Sequence, residues 1–293
     1  MALQIGSASF ANKYGLLNEE MLSNEKEIEK IILFCKKKDL ILDSSPEYGK
    51  SIKYINNLSK GFKSRISTKV VVGKDDLDSF EKKLINHFKN LKNCSIETLY
   101  FHEPKISHNK DFQKYLKSAS IICNDFNINN LGLSIYEEED LISENCNLEL
   151  INCLQVPLNL LDNRNIALKQ KYKKISLIGR SIFLQGLITT SGIEMLGKSS
   201  NKTDQQNGLL IKNLSKKFAT NIETLAIAWA LSFESIKDII IGVNSYKQLI
   251  EIFEFYEKAK LICHKIKDNQ SLFYEIEKNG STFKRWLPIL AGK

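Results

Sequence analysis

The sequence predicts an α/β fold closed as a (β/α)8 barrel, the TIM-barrel arrangement. Three observations carry that expectation. Eight short β-branched or apolar runs recur along the 293 residues, and amphipathic stretches at helical spacing alternate with them. The first run is not followed by the G-x-G-x-x-G turn that an open dinucleotide-binding sheet would carry. Alternating strand and helix requires parallel strands joined by crossovers, and eight such units in a chain of this length suit a closed barrel. The whole of residues 1–293 is read as one domain.

The expected strands are 4–10, 40–43, 65–69, 97–101, 131–134, 153–156, 175–178 and 238–241. The first helical pattern, 24–38, repeats Ile28, Ile31, Ile32 and Cys35 on one face. Asn24 with Glu27 has the form of a capping box at its start. Similar patterns cover 79–91, 110–120, 209–218, 224–233 and 246–258. Pro46, Pro104 and Pro157 each stand just after an expected strand, where the missing N–H does not interrupt a ladder. The polar stretch 191–208 reads as a long surface loop, with a lid as its functional alternative. The segment 261–293, with Phe283 and Trp286, is expected to pack on the barrel or border its mouth.

Composition narrows the function. Hydrophobic residues make up 43% and charged residues 26%, enough apolar content for a packed core. The apolar runs are far shorter than the ~20 residues a membrane-spanning helix needs. The opening Met1-Ala-Leu-Gln-Ile-Gly lacks the basic and long apolar regions of a secretory signal, so a cytoplasmic chain is expected. The net charge is +8, but only four of the 42 basic residues are arginine. Lysines cluster at helix ends, with no basic stripe interleaved with aromatics, so no nucleic-acid partner is expected. The six cysteines form no C-x-x-C pair and the four histidines no zinc spacing with them. Reduced core thiols and no metal are expected.

Barrel enzymes carry their chemistry on the loops after the strands. Asp43 ends the second expected strand, Lys69 the third, His102 the fourth and Ser134 the fifth. Asn159 lies past the sixth and Arg180 past the seventh. Each alone has a plain structural explanation, as a cap, a counter-charge or a packing residue. Asp43, Lys69 and His102 on consecutive strand ends, with Tyr48 close behind Asp43, make sense together for carbonyl reduction. A phenol with an ordinary pKa near ~10 is a weak acid at neutral pH. Lys69 is expected to lower it, with Asp43 holding Lys69 charged. Tyr48 then delivers a proton to the carbonyl oxygen, and His102 hydrogen-bonds that oxygen.

These residues amount to a family resemblance. Ile5-Gly6-Ser7-Ala8-Ser9-Phe10, followed by Lys13-Tyr14-Gly15, resembles the opening of the aldo-keto reductases. Asp43-Ser44-Ser45-Pro46-Glu47-Tyr48-Gly49, Thr68-Lys69-Val70 and Phe101-His102-Glu103-Pro104 resemble the family's Asp, Tyr, Lys and His segments, in the right order. The resemblance spans about residues 3–255. It implies a nicotinamide cofactor and a catalytic Asp43, Tyr48, Lys69 and His102. Ser134 and Gln155 are implied to hold the nicotinamide carboxamide. Arg180, Ser181, Leu184 and Gly186 are implied on the pyrophosphate side. Gly242, Asn244, Ser245, Gln248 and Glu251 are implied at the adenosine phosphate, where a helix start suits an anion. The chain departs from the family where an Asn is common: Ile135 follows Ser134, and Ile252 follows Glu251. Gln248 stands where a basic residue often meets the 2′-phosphate, with Lys247 beside it. NADP is the expected cofactor, NAD the alternative, and the expected partner is a small carbonyl substrate, an aldehyde or ketone. A sugar-derived carbonyl is the narrower suggestion. The second expectation is a cofactor-binding regulatory or structural barrel with little turnover.

Overall fold

The computed structural model describes residues 2–11, 24–141 and 146–277. Eight parallel strands pair in chain order and close on themselves. They are β1 (Ala2–Gly6), β2 (Ile41–Asp43), β3 (Ser64–Val70), β4 (Cys94–Phe101), β5 (Asn130–Ser134), β6 (Cys153–Pro157), β7 (Ser176–Arg180) and β8 (Ile236–Gly242). The predicted (β/α)8 barrel is therefore observed. Its crossovers carry α1 (Glu25–Lys37), α2 (Ser51–Leu58), α3 (Leu77–Asn90), α4 (Phe112–Asp125), a short α5 (Leu168–Lys171), α6 (Thr190–Gly197), α7 (Lys202–Lys217) and α8 (Ile222–Leu231). α9 (Tyr246–Lys267) follows the last strand, and a short α10 (Tyr274–Glu277) comes after it. None of the described helices is long and apolar enough to cross a membrane.

Periodicity explains the outer layer. In α1, Ile28, Ile31, Ile32 and Cys35 are all buried against the barrel. α8 is apolar nearly all round and buried on every side, as such a helix must be. Inside the barrel, Tyr100, Cys153, Ile178 and Ile240 form a separate cluster. Gly132 makes room for it: a Cβ there would lie 2.6 Å from the Cys153 Sγ and 2.8 Å from the Tyr100 ring. The cysteines are free, and burial pushes the Cys35, Cys123 and Cys153 thiols up to about 12, so they act as apolar filler.

Several local expectations change. β1 ends at Gly6 rather than at residue 10, because a 3-10 turn, Ala8–Phe10, follows it, and the Ser7 N–H donates to the Asp43 carbonyl at 2.9 Å. The capping box at α1 is not closed. Asn24 does cap, accepting from the Lys26 N–H, but the Glu27 carboxylate accepts from the Tyr246 N–H at the start of α9 and from Lys30. The stretch 191–208 is not a loop. α6 and the first turns of α7 occupy it, with Ile193 and Leu196 buried, so a lid there loses its basis. Phe273 stacks on Phe218, which docks the start of the C-terminal segment, while Phe283 and Trp286 lie outside the described residues, as do Lys13, Tyr14 and Gly15.

Candidate active site

Strand order brings the first group of side chains together. β2, β3 and β4 are neighbours, with Asp43 paired to Ser67 and Lys69 to Tyr100 in register. The Lys69 ammonium, 1% exposed, donates to Asp43 Oδ2 at 2.5 Å and to the Ser44 carbonyl at 3.5 Å. Gln155 Nε2 donates to the other Asp43 oxygen at 2.8 Å. A buried carboxylate thus has its charge balanced and both oxygens engaged, which is what keeps such a pair tolerable away from water. The Lys69 Nζ lies 5.3 Å from the centroid of the Tyr48 ring. His102 meets the same ring edge to face at 5.9 Å, and its Nδ1 is 3.2 Å from Ser45 Oγ.

The titration of the pair differs from expectation. The Tyr48 phenol is pushed up from its ordinary value, first by burial and then by the negative charge of Asp43, with Arg180 opposing. Burial and the facing carboxylate thus outweigh the nearby positive charge. Tyr48 therefore remains a protonated donor at neutral pH. Burial, then the charge of Lys69, lowers His102 to about 4. It is a neutral hydrogen-bonding group there, and the tautomer with N–H toward the cleft is the one able to donate.

These groups open into a cleft of about 700 Å3. Its walls include Asp43, Tyr48, His102, Ser134, Gln155, Arg180, Ser181, Leu184, Gly186, Gly242, Asn244, Gln248 and Glu251. Asn159, Lys69 and Ser245, also singled out in the sequence, stand behind the wall, Asn159 buried and exchanging backbone hydrogen bonds with Asp162. Lys69 is covered by Asp43. Ser245 caps α9, its hydroxyl accepting from the Gln248 N–H at 3.0 Å. Ser134 Oγ donates to Gln155 Oε1 at 3.4 Å, which aligns a hydroxyl and an amide side by side on β5 and β6. Ile135 is fully buried in the core, so it offers the cleft no polar side chain.

The loop after β7 has unusual backbone. Seven non-glycine residues among those described have positive φ, and three of them, Ser181, Leu184 and Gln185, lie in this one loop. Such geometry is uncommon and persists where surrounding packing enforces it. Here α6 supplies the packing. Thr189 Oγ1 donates to the Gly186 carbonyl at 2.7 Å, and Glu223 accepts from the Thr190 N–H and hydroxyl. Gly192 sits so close that a Cβ would lie 2.3 Å from the Gly186 carbonyl oxygen.

Sequence reasoning missed Tyr136, Phe183, Gln185, Glu223 and Phe255, all of which line the cleft. Tyr136, two residues past Ser134, was accessible to a search of strand ends. Glu223 and Phe255 sit on helices and carry no local signal.

The sequence model described as the Aldo/keto reductase family matches residues 2–271. No curated protein matches the chain. Among solved structures, PA4992 of Pseudomonas aeruginosa, described as an aldo-keto reductase, is 16% identical, with a TM-score of 0.62. The match covers 88% of this chain and 90% of that one. The glycerol dehydrogenase AKR11B4 of Gluconobacter oxydans is 15% identical, with a TM-score of 0.66 and 90% of each chain covered. At these identities the two structures show a shared fold.

Proposed function

The chain belongs to the aldo/keto reductase family, and we propose that it reduces an aldehyde or ketone to an alcohol with NADPH as hydride donor. Membership implies an oxidoreductase acting on carbonyl compounds. The observation that carries the reading is geometric: Tyr48 borders a cleft of about 700 Å3, with the ammonium of a charge-balanced Asp43–Lys69 pair 5.3 Å from its ring.

The donor set supports a nicotinamide dinucleotide. Ser134 and Gln155 offer a hydroxyl and an amide to a carboxamide. The loop 181–186 offers backbone N–H groups to phosphate, whereas at the start of α9 the Asn244, Tyr246 and Gln248 N–H groups are held by Gln248, Glu27 and Ser245 and would have to exchange those partners for it. Lys247, exposed on the first turn of α9 and 4.0 Å from Glu251, is the basic residue that would turn to a 2′-phosphate. When bound, the cofactor supplies hydride at the nicotinamide ring. Tyr48 gives the proton to the carbonyl oxygen as negative charge develops there. His102, neutral at working pH, donates a hydrogen bond to the same oxygen and orients the substrate. Lys69 and Asp43 are positioning residues: the ammonium stabilises the phenolate left behind, and the carboxylate fixes the ammonium. A raised phenol pKa suits this order, since the proton leaves only when the oxygen it joins has become more basic.

A panel of aldehydes and ketones followed by NADPH absorbance tests the reading, with cofactor binding measured separately by fluorescence titration against NADH. Saturable NADPH binding with turnover is expected. Tyr48→Phe is expected to retain binding and lose about 10^2–10^4-fold in kcat. Binding without turnover on any carbonyl would favour a regulatory barrel, and tighter NADH binding would replace NADPH as the donor.

A further inference from the structure

Arg180 ends β7, but its side chain leans back across the end of β6 toward β5. The guanidinium carbon lies 4.5 Å from the centroid of the Tyr136 ring, and Nη2 donates to the Ile135 carbonyl at 3.2 Å. The remaining contact is a long one, Nη1 to Ser181 Oγ at 3.5 Å. The other two arginines in the described residues are each matched by two carboxylates. Arg65 pairs with Asp39 and Glu97, and Arg164 with Glu137 and Asp162. Arg180 has no carboxylate within ion-pair distance among the described residues. A stacked, half-buried guanidinium has lost part of its freedom and keeps donors to spare, which is the condition for binding an anion in a fork.

The charges around it sharpen the point. Asp43 and Lys69 cancel each other, His102 is neutral, and Glu223 is turned onto Thr190. Among the described cleft-lining residues Arg180 is the one cation, and neither Glu223 nor Glu251, which also line the cleft, pairs with it. The neighbouring cavity of about 670 Å3, beyond Tyr136 and Pro104, offers no second free guanidinium: Arg164 is paired, Glu103 accepts from the Val72 and Gly73 amides, and the remaining cation, Lys105, is an exposed ammonium without the planar fork. The backbone groups suited to a cofactor's phosphates lie in the 181–186 loop, whereas Arg180 is anchored on the β5 side.

We propose that Arg180, steadied by Tyr136 and the Ile135 carbonyl, is the specificity residue that binds an anionic group of the substrate, so that the favoured substrates are aldehydes or ketones bearing a carboxylate or phosphate. The proposal rests on the reading of this cleft as a carbonyl-reducing site. It reassigns Arg180 from cofactor pyrophosphate to substrate.

Calorimetry on protein saturated with NADP+ tests it without relying on turnover. The probes are 4-(hydroxymethyl)benzoate against its methyl ester, and glycerol 3-phosphate against glycerol. At least a tenfold preference for the anionic member of one pair is expected, and the pair showing it distinguishes carboxylate from phosphate. Arg180→Met should erase the preference, Arg180→Lys should keep part of it, and NADP+ affinity should stay within about threefold in both. No preference in the wild-type protein would overturn the proposal, whatever the variants do. So would an Arg180→Met protein that loses NADP+ affinity as much as anion affinity, since Arg180 would then serve the cofactor. If the preference is found and no carbonyl in the panel, 4-formylbenzoate included, is reduced, the anion site stands and the carbonyl-reducing reading falls.

Discussion

Two aspartates are buried inside this barrel, one toward each end, and their surroundings differ. Asp43, at the C-terminal end of β2, is 3% exposed, balanced by Lys69 and bonded by Gln155, and borders an open cleft. Asp238, near the start of β8, is 8% exposed and accepts from the Ala2 N–H and the Gln4 amide, each at 3.0 Å, with no cation in ion-pair distance among the described residues. The residue type and the degree of burial are alike. At the open end the charge is matched by a full opposite charge and set beside a phenol. At the closed end two N–H donors suffice to tie the first and last strands together. In a barrel of this kind the C-terminal face carries chemistry and the opposite face carries stability.

Breaking the matched pair should have the largest effect. Lys69→Met strips Asp43 of its counter-charge inside the barrel, and a loss of about 3–5 kcal/mol in urea unfolding is expected. A loss below about 1 kcal/mol would mean that the pair is better solvated than its burial implies. The histidines extend the contrast to the outer layer. His87 on α3 is 2.8 Å from Thr68 Oγ1, and burial lowers it to about 4 from an ordinary 6.5. Below pH 6.5 the unfolded chain takes up the proton first. Stability should therefore fall between about pH 6.5 and pH 4, by about 3 kcal/mol for this one group. His102, lowered to the same value, acts in the same window, so His87→Gln should remove about half of that slope, and an unchanged slope would assign the acid sensitivity elsewhere. At the closed end, Asp238→Asn should cost about 1–3 kcal/mol by leaving one of the two donors without its acceptor. Turnover and cofactor affinity should not change. A large loss of activity in this variant would erase the division between the two ends.

Much of the open end was legible because strand ends have strong local signals. A β-branched run followed by Asp43, or by Lys69, fixes both the strand and the place of the charged residue in it. Asp238 lay inside a run expected to be a strand, yet its alliance with Gln4 and Ala2 depends on barrel closure, which joins residues more than 230 positions apart. α6 was missed although Ile193 and Leu196 have helical spacing, because glycine and polar neighbours dilute the pattern; its role, bracing the strained 181–186 loop, exists only in three dimensions. α2, with Ile52 and Ile55, is short enough to escape periodicity altogether. The direction of the Tyr48 shift was reversed for a similar reason. The sequence places Lys69 near the phenol but does not show how deeply the ring is buried or that Asp43 faces it, and these two push the phenol up.

Transfer of label from cofactor to product tests the chemistry of the open end most directly. NADPH carrying deuterium at both C4 positions, incubated with 4-formylbenzoate and this protein, should yield 4-(hydroxymethyl)benzoate with one deuterium on the alcohol carbon, seen by NMR and mass spectrometry. NADPH that binds but transfers no deuterium to this or any other carbonyl in the panel would contradict the assignment of Tyr48 and its neighbours to carbonyl reduction.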